Sequence, residues 1–377
     1  MNAPTPTRLE CLLIADDLTG ACDAAVAFAA RGAEAEAVLD PAALGPATEV
    51  LALSTDTRDF RAGLLAGFMQ DLASRAPPAQ VIFKKIDSTL RGNAGAEILA
   101  VAAAFACDAV LVTPAFPAMR RVVESGYLCV TGQETFAPVD LAAYFRAQGV
   151  AACHQVKPWD VETALVWGKR FLSIDAGCEQ DLDSIVRAGL GWRRRALFAG
   201  SGGLAAALAR SLRPRPAARL PLPRAAGPAI FCIGSDHPAT LEQEAGLLSC
   251  RPAVRLDARA ASPDEVVGSL RQSKHVVLCM PREATSPAHV RDLLFPAVQH
   301  AAGLLLSGGD TASLVARAMG VDSIRLVDEV STGIPFALLR GGLLDGRTAV
   351  TKSGAFGDAD ALVRVADFFS AGATPAA

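Results

Sequence analysis

The stretch Leu12-Leu13-Ile14-Ala15-Asp16-Asp17-Leu18-Thr19-Gly20-Ala21-Cys22-Asp23 decides the fold. A short apolar run of strand character ends in two adjacent carboxylates, and a glycine-containing turn then opens a helical pattern. Strand packing asks for no such charges. Carboxylates at the point where a strand passes into a helix are a common way for an α/β protein to present polar groups to a ligand, so this stretch bears on function as well.

Working outward, further short apolar runs occupy residues 50–54, 81–86 and 109–113. Between the last two, Ala94, Ile98, Val101, Ala102 and Phe105 recur at helical spacing. Strand, helix, strand in this order predicts a mostly parallel sheet. The rhythm resumes at residues 229–233, 275–280, 303–307 and 348–351, and Leu362, Val365, Ala366 and Phe369 give the last helix its apolar face. Between the two series, residues 213–228 contain five prolines and can continue neither a helix nor a central strand. At 377 residues the chain exceeds what one core usually supports. The expectation is two α/β domains with mostly parallel sheets and a ligand cleft between them: residues 1–212, a Pro/Arg-rich linker over 213–228, and residues 229–377.

Composition narrows the function. The chain is 51% hydrophobic but only 6% aromatic, which favours close-packed helices on sheets over a β-sandwich. A net charge of −3 provides no global field for nucleic acid. The arginines around the linker lack interleaved aromatics and read as a solvated basic tether. Residues 1–10 hold no signal-peptide core, and the longest apolar run, 98–107, is too short for a bilayer, so a cytoplasmic protein without a membrane partner is expected. Nine scattered cysteines without a Cys-x-x-Cys pair point to neither zinc nor a disulfide framework. The five histidines show no metal spacing, and neither a Gly-x-Ser-x-Gly nor a P-loop motif occurs.

Three polar clusters follow strands in the first half: Asp16-Asp17, Asp56-Thr57-Arg58, and the run from Lys84 to Asn93 with Lys85, Asp87, Ser88, Thr89 and Arg91. Arg grips a carboxylate in bidentate fashion, Lys adds a point charge, and Asp and Ser pair with hydroxyls, so the set suits a small anionic polyol. Asn93 reads as a helix N-cap. In the second half, Gly308-Gly309-Asp310-Thr311 precedes a helix, where paired glycines let backbone amides approach phosphate oxygens. Asp310 or Thr311 as an N-cap is compatible with the same pattern. Gly234-Ser235-Asp236 and Thr351-Lys352-Ser353-Gly354-Ala355-Phe356-Gly357 extend this phosphate-binding character, with Lys352 as its cation, and Gly333-Ile334-Pro335 adds a turn suited to wall an adenine or ribose pocket. Gly200-Ser201-Gly202-Gly203-Leu204-Ala205 formally fits a dinucleotide fingerprint, but the acidic residue expected about 20 positions later is missing.

Taken together, Ala15 to Ala21, Lys84 to Gly92, Pro114-Ala115-Phe116-Pro117, Gly308 to Ala312 and Thr351 to Gly357 resemble, in order along nearly the whole chain, the four-carbon acid sugar kinase family. The resemblance implies ATP-dependent phosphorylation of a terminal hydroxyl on threonate, erythronate or a 3-oxo-tetronate. It implies that Asp16, Asp17, Lys85, Asp87 and Arg91 hold substrate and that Ser235, Gly308, Gly309, Asp310, Thr311, Lys352 and Gly354 hold ATP; Arg58 is added to the substrate set from its strand-end position alone, where a surface turn is the alternative. Mg²⁺ accompanies the nucleotide, with ligands the sequence does not identify, and Asp17 or Asp87 is the expected base. A homodimer is left open. A NAD-linked sugar-acid dehydrogenase and a non-catalytic acid-sugar sensor are the alternative classes.

Overall fold

The computed structural model describes residues 8–40, 48–132, 136–215, 225–281 and 286–372. It divides into two compact units, Met1–Pro216 and Ala217–Ala377. The central part of the expected linker, 216–224, lies outside the described residues. Arg213, at its start, is docked on the first unit through Glu10 at 2.7 Å and Glu49 at 2.6 Å.

The first unit contains β1 (Leu9–Ala15), β2 (Ala35–Val38), β3 (Val50–Ser54), β4 (Ala79–Lys85), β5 (Ala109–Thr113), β6 (Arg121–Glu124), β7 (Tyr127–Val130), β8 (Val139–Asp140), β9 (His154–Val156), β10 (Phe171–Ile174) and β11 (Ala196–Gly200). Eight of these form a parallel run in the order β2-β3-β1-β4-β11-β5-β10-β9. Every residue of β3, β5 and β11 is buried, as expected of strands covered by helices on both faces. A separate antiparallel sheet, β6-β7-β8, hangs from the run through a bridge between Val123 and Ala176.

The second unit contains β12 (Ile230–Ile233), β13 (Ala253–Asp257), β14 (His275–Cys279), β15 (Leu304–Ser307), β16 (Ser323–Ser331), β17 (Ile334–Arg340) and β18 (Thr348–Lys352). Its order is β13-β14-β12-β15-β18-β17-β16, parallel through β18 and antiparallel beyond. Phe231, Leu247, Val277, Leu305, Val350, Leu362, Val365 and Phe369 form its core, so the apolar face of the last helix packs on the sheet. The α/β class with mostly parallel sheets is therefore observed. The strands not foreseen are the short β2, β9 and β10, the small sheet, β13, and the β16–β17 hairpin. Most of them are four residues or fewer, too short to show a period. Among the described residues no helix is long and apolar enough to cross a membrane.

Candidate active site

Because β3, β1 and β4 are neighbours and parallel, the residues after their C-terminal ends share one edge. Asp17 caps the helix Leu18–Ala29, its Oδ1 accepting from Gly20 N at 2.6 Å. Arg58, past the end of β3, bridges both aspartates: its Nε donates to Asp16 Oδ2 at 2.7 Å, and its Nη1 lies 2.8 Å from Asp17 Oδ2. Two adjacent buried carboxylates are tolerable only with such a cation between them. Burial opposes charge on Asp16, but Arg58, Lys84 and Lys85 outweigh it and hold the carboxyl below its ordinary range. Burial, with the Asp16 charge added, wins over Arg58 at Asp17 and raises its pKa. Asp56 faces solvent and Thr57 donates to Glu97 Oε1 at 2.7 Å, so only Arg58 of that cluster enters the site.

Strand alternation separates the two lysines. Lys85 turns toward Asp23, with Nζ 3.3 Å from Oδ2, whereas Lys84 forms a fully buried pair with Glu97 at 2.6 Å on the other face. Asp87 is the most firmly held group. Its Oδ1 accepts from Thr89 N at 2.8 Å and Thr89 Oγ1 at 2.6 Å, and its Oδ2 accepts from Arg91 Nε at 3.0 Å and Nη2 at 2.5 Å. Despite burial, Arg91 and Thr89 hold its carboxyl well below the usual range. Asn93 departs from expectation. Its side chain makes no cap and donates instead to Phe60 O at 2.8 Å, tying down the loop that carries Arg58.

Two buried residues of this neighbourhood escaped sequence reasoning. Asp23 had a usable signal, lying four residues after Thr19 on one helix face. Arg121 had none, since it arrives on β6, outside the parallel run. Burial lowers its pKa and Arg91 adds to the effect, against the pull of Asp87 and Asp23. Asp175 anchors this hairpin by accepting from Ser125 N at 2.8 Å and Gly126 N at 2.9 Å, with Lys157 Nζ at 2.7 Å.

In the second unit, Ile233, Ser307 and Lys352 lie side by side in the register of β12, β15 and β18. The loops they open therefore converge, bringing Ser235, Gly308, Gly309, Thr311, Lys352 and Gly354 together. A Cβ on Gly354 would lie 2.2 Å from Ser235 Oγ, and one on Gly234 would lie 2.0 Å from Thr311 Oγ1. The helix Gly309–Ala318 is entered from Gly308 at φ +100° without a side-chain cap, so Asp310 and Thr311 occupy its first turn and do not cap it. Asp310 is exposed. Lys352 is buried, its Nζ donating to Gly354 O at 3.0 Å, Ser353 O at 3.2 Å and Thr240 Oγ1 at 3.3 Å. Surrounded by neutral oxygens, its pKa is pushed down to about 7 by burial. Gln243 Nε2 donates to the carbonyls of Phe356, Gly357 and Asp358, which fixes the end of the glycine loop. Gly333 forms the β16–β17 turn against Phe356, while Ile334 and Pro335 already belong to β17.

The Gly200–Ala205 motif is a packing device. Ser201 caps the helix Gly202–Leu212, and side chains at 202 or 203 would strike Asp23, Phe116 or the Ala115 carbonyl.

Comparison with known proteins assigns the chain. Residues 11–208 match the family described as a sugar-binding N-terminal domain, and residues 230–362 match a nucleotide-binding C-terminal domain. A D-threonate kinase of Bordetella bronchiseptica is 33% identical, covering 94% of this chain and 96% of that protein. A D-threonate kinase of Cupriavidus necator is 31% identical, covering 93% and 96%, and a 3-oxo-tetronate kinase of Methylobacterium radiotolerans is 28% identical, covering 95% and 98%. A solved Salmonella typhimurium protein shares the fold at a TM-score of 0.73 and 20% identity, covering 95% of this chain and 99% of its own. With both halves matched and relatives aligned end to end, the chain belongs to the four-carbon acid sugar kinase family.

Proposed function

We propose that this kinase transfers the γ-phosphoryl group of ATP to a hydroxyl of D-threonate, the acid held at the ends of β1, β3 and β4 and the nucleotide at the ends of β12, β15 and β18. The observation that carries the reading is the first cluster. Arg58, Lys85 and Arg91 bring positive charge to one edge, while Asp16 Oδ1 is buried and, among the described residues, accepts no hydrogen bond. A buried carboxylate oxygen without a donor costs free energy until a donor arrives, and a sugar hydroxyl is such a donor. Relatives named D-threonate kinase stand at 33%, 31% and 28% identity, against 28% and 25% for relatives named 3-oxo-tetronate and D-erythronate kinase.

The second cluster suits a polyphosphate. Lys352 is a buried cation among neutral oxygens, and backbone amides open a helix beyond Gly308. Asp310 and Asp236, exposed carboxylates beside these loops, are the residues that would hold Mg²⁺, which would neutralise phosphate charge. In the first unit, Asp17 is better suited than Asp87 to take the hydroxyl proton. Burial makes Asp17 more basic, whereas Arg91 and Thr89 occupy Asp87. Arg58 holds Asp17 in place, and Lys85 and Arg91 orient the acid group.

The test is coupled ADP release with D-threonate, L-threonate, D-erythronate and 3-oxo-tetronate. The highest kcat/KM is expected with D-threonate. A higher value with another acid would reassign the substrate, and background release with all four would overturn the reading.

A further inference from the structure

Resting on the acid-sugar reading of the first cluster, we propose that Asp23 is the positioning residue for Lys85: its carboxylate fixes the ammonium at the end of β4, and glycine at position 202 leaves the space this carboxylate needs. Asp23 projects from the helix Leu18–Ala29 and is only 4% exposed. Its Oδ2 lies 3.3 Å from Lys85 Nζ, and among the described residues neither group forms another ion pair. The ammonium donates its hydrogen bond to Ile86 O, also at 3.3 Å, and meets Asp23 Oδ2 as an ion pair. Without Asp23 a flexible four-carbon stem would be held only by that one long hydrogen bond.

The packing at Gly202 is specific to this purpose. A Cβ there would lie 2.7 Å from Asp23 Oδ1, 2.8 Å from Oδ2 and 2.9 Å from the Phe116 ring. Gly202 also opens the helix Gly202–Leu212, so the positive end of a helix dipole stands beside the carboxylate. The glycine motif that resembles a dinucleotide fingerprint thus acquires a role within the acid-sugar site.

The charged groups around Lys85 are Asp23 from the helix, Asp16 and Asp17 from the turn after β1, and Asp87 from its own loop. Arg58, past the end of β3, acts on Asp16, Asp17 and Asp87, and Arg121, on β6, acts on Asp87 and Asp23. Burial works against the Lys85 charge, but these carboxylates, Asp23 foremost, keep its proton on.

Steady-state kinetics of the full chain with D-threonate and ATP test the assignment. Asp23→Asn should raise the KM for D-threonate on the order of tenfold or more while leaving the KM for ATP unchanged. It should also move the alkaline limb of kcat/KM for D-threonate to lower pH by about 1, because Lys85 loses the neighbour that does most to retain its proton. Gly202→Ala keeps every charge and should raise the same KM by displacing Asp23. A folded Asp23→Asn variant with unchanged KM and an unmoved limb would overturn the role; if that variant does not fold, an unchanged KM in Gly202→Ala would do so. Lys85→Met separates the two levels. Loss of D-threonate binding there, with a silent Asp23→Asn, refutes only the role of Asp23, whereas unchanged binding in Lys85→Met refutes the acid-sugar reading.

Discussion

At the residue scale, Lys352 has the clearest pH consequence. Its ordinary pKa of 10.5 falls to about 7 in the fold because burial works against its charge and no acidic partner among the described residues offsets it. Between these values the unfolded chain binds more protons than the native one, so this group makes stability rise with pH, by at most about 1.4 kcal/mol per pH unit. In denaturant titrations of the ligand-free protein from pH 7 to 9.5, the wild type should gain stability relative to Lys352→Met. Parallel curves would count against a depressed lysine. Nucleotide phosphates favour the protonated form, so ATP affinity should also decline as pH rises above 7, and the Met variant should bind weakly with little pH dependence. Asp17→Asn probes the chemistry, since Asn retains the acceptor that caps Gly20 N. Its kcat should fall on the order of 10² to 10⁴, with the KM for ATP changed by no more than about twofold. A kcat near that of the wild type would remove Asp17 as proton acceptor. Sequence reasoning grouped Asp16, Asp17, Arg58, Lys85, Asp87 and Arg91 correctly in space because strand ends are visible as apolar runs meeting charge. It left out Asp23, which looks like one more polar residue on a helix.

At the element scale, glycine motifs of similar appearance serve different ends. Gly200 to Gly203 bring a helix N-terminus close to Asp23 and Phe116, whereas Gly234, Gly308 and Gly354 let three loops of the second unit touch. Glycine patterns record only that a Cβ is excluded, and they are silent about what excludes it. Gly354→Ala places a methyl carbon 2.2 Å from Ser235 Oγ and 3.3 Å from His237 Cβ. It should raise the KM for ATP by about tenfold or more through loop displacement, leaving the KM for D-threonate near its original value. Equal increases in both constants would indicate general unfolding, which a lowered Tm would reveal. The reading of Asn93 as a cap failed for a related reason. A side chain able to cap a helix can equally reach across to another loop, and here the Phe60 carbonyl wins.

At the scale of the whole molecule, two α/β units each carry polar groups at the C-terminal ends of parallel strands, where loops converge by geometry. Alternation of apolar runs with helical periodicity by itself determined the class, the mostly parallel character of the sheets and the positions of the central parallel strands, because burial on both faces demands continuous hydrophobicity. The charged and glycine-rich strand ends likewise raised the expectation of a site for an anionic polyol and one for phosphate. Only the tertiary structure decided which cation meets which carboxylate. Lys84 and Lys85 are adjacent in sequence, yet pleating sends one to Glu97 and the other to Asp23. Arg121 reaches the neighbourhood of Asp87 from a small sheet that no periodicity announces. Local sequence sets the direction of a side chain only relative to its own element, whereas its partner depends on which other elements the folded chain packs beside it.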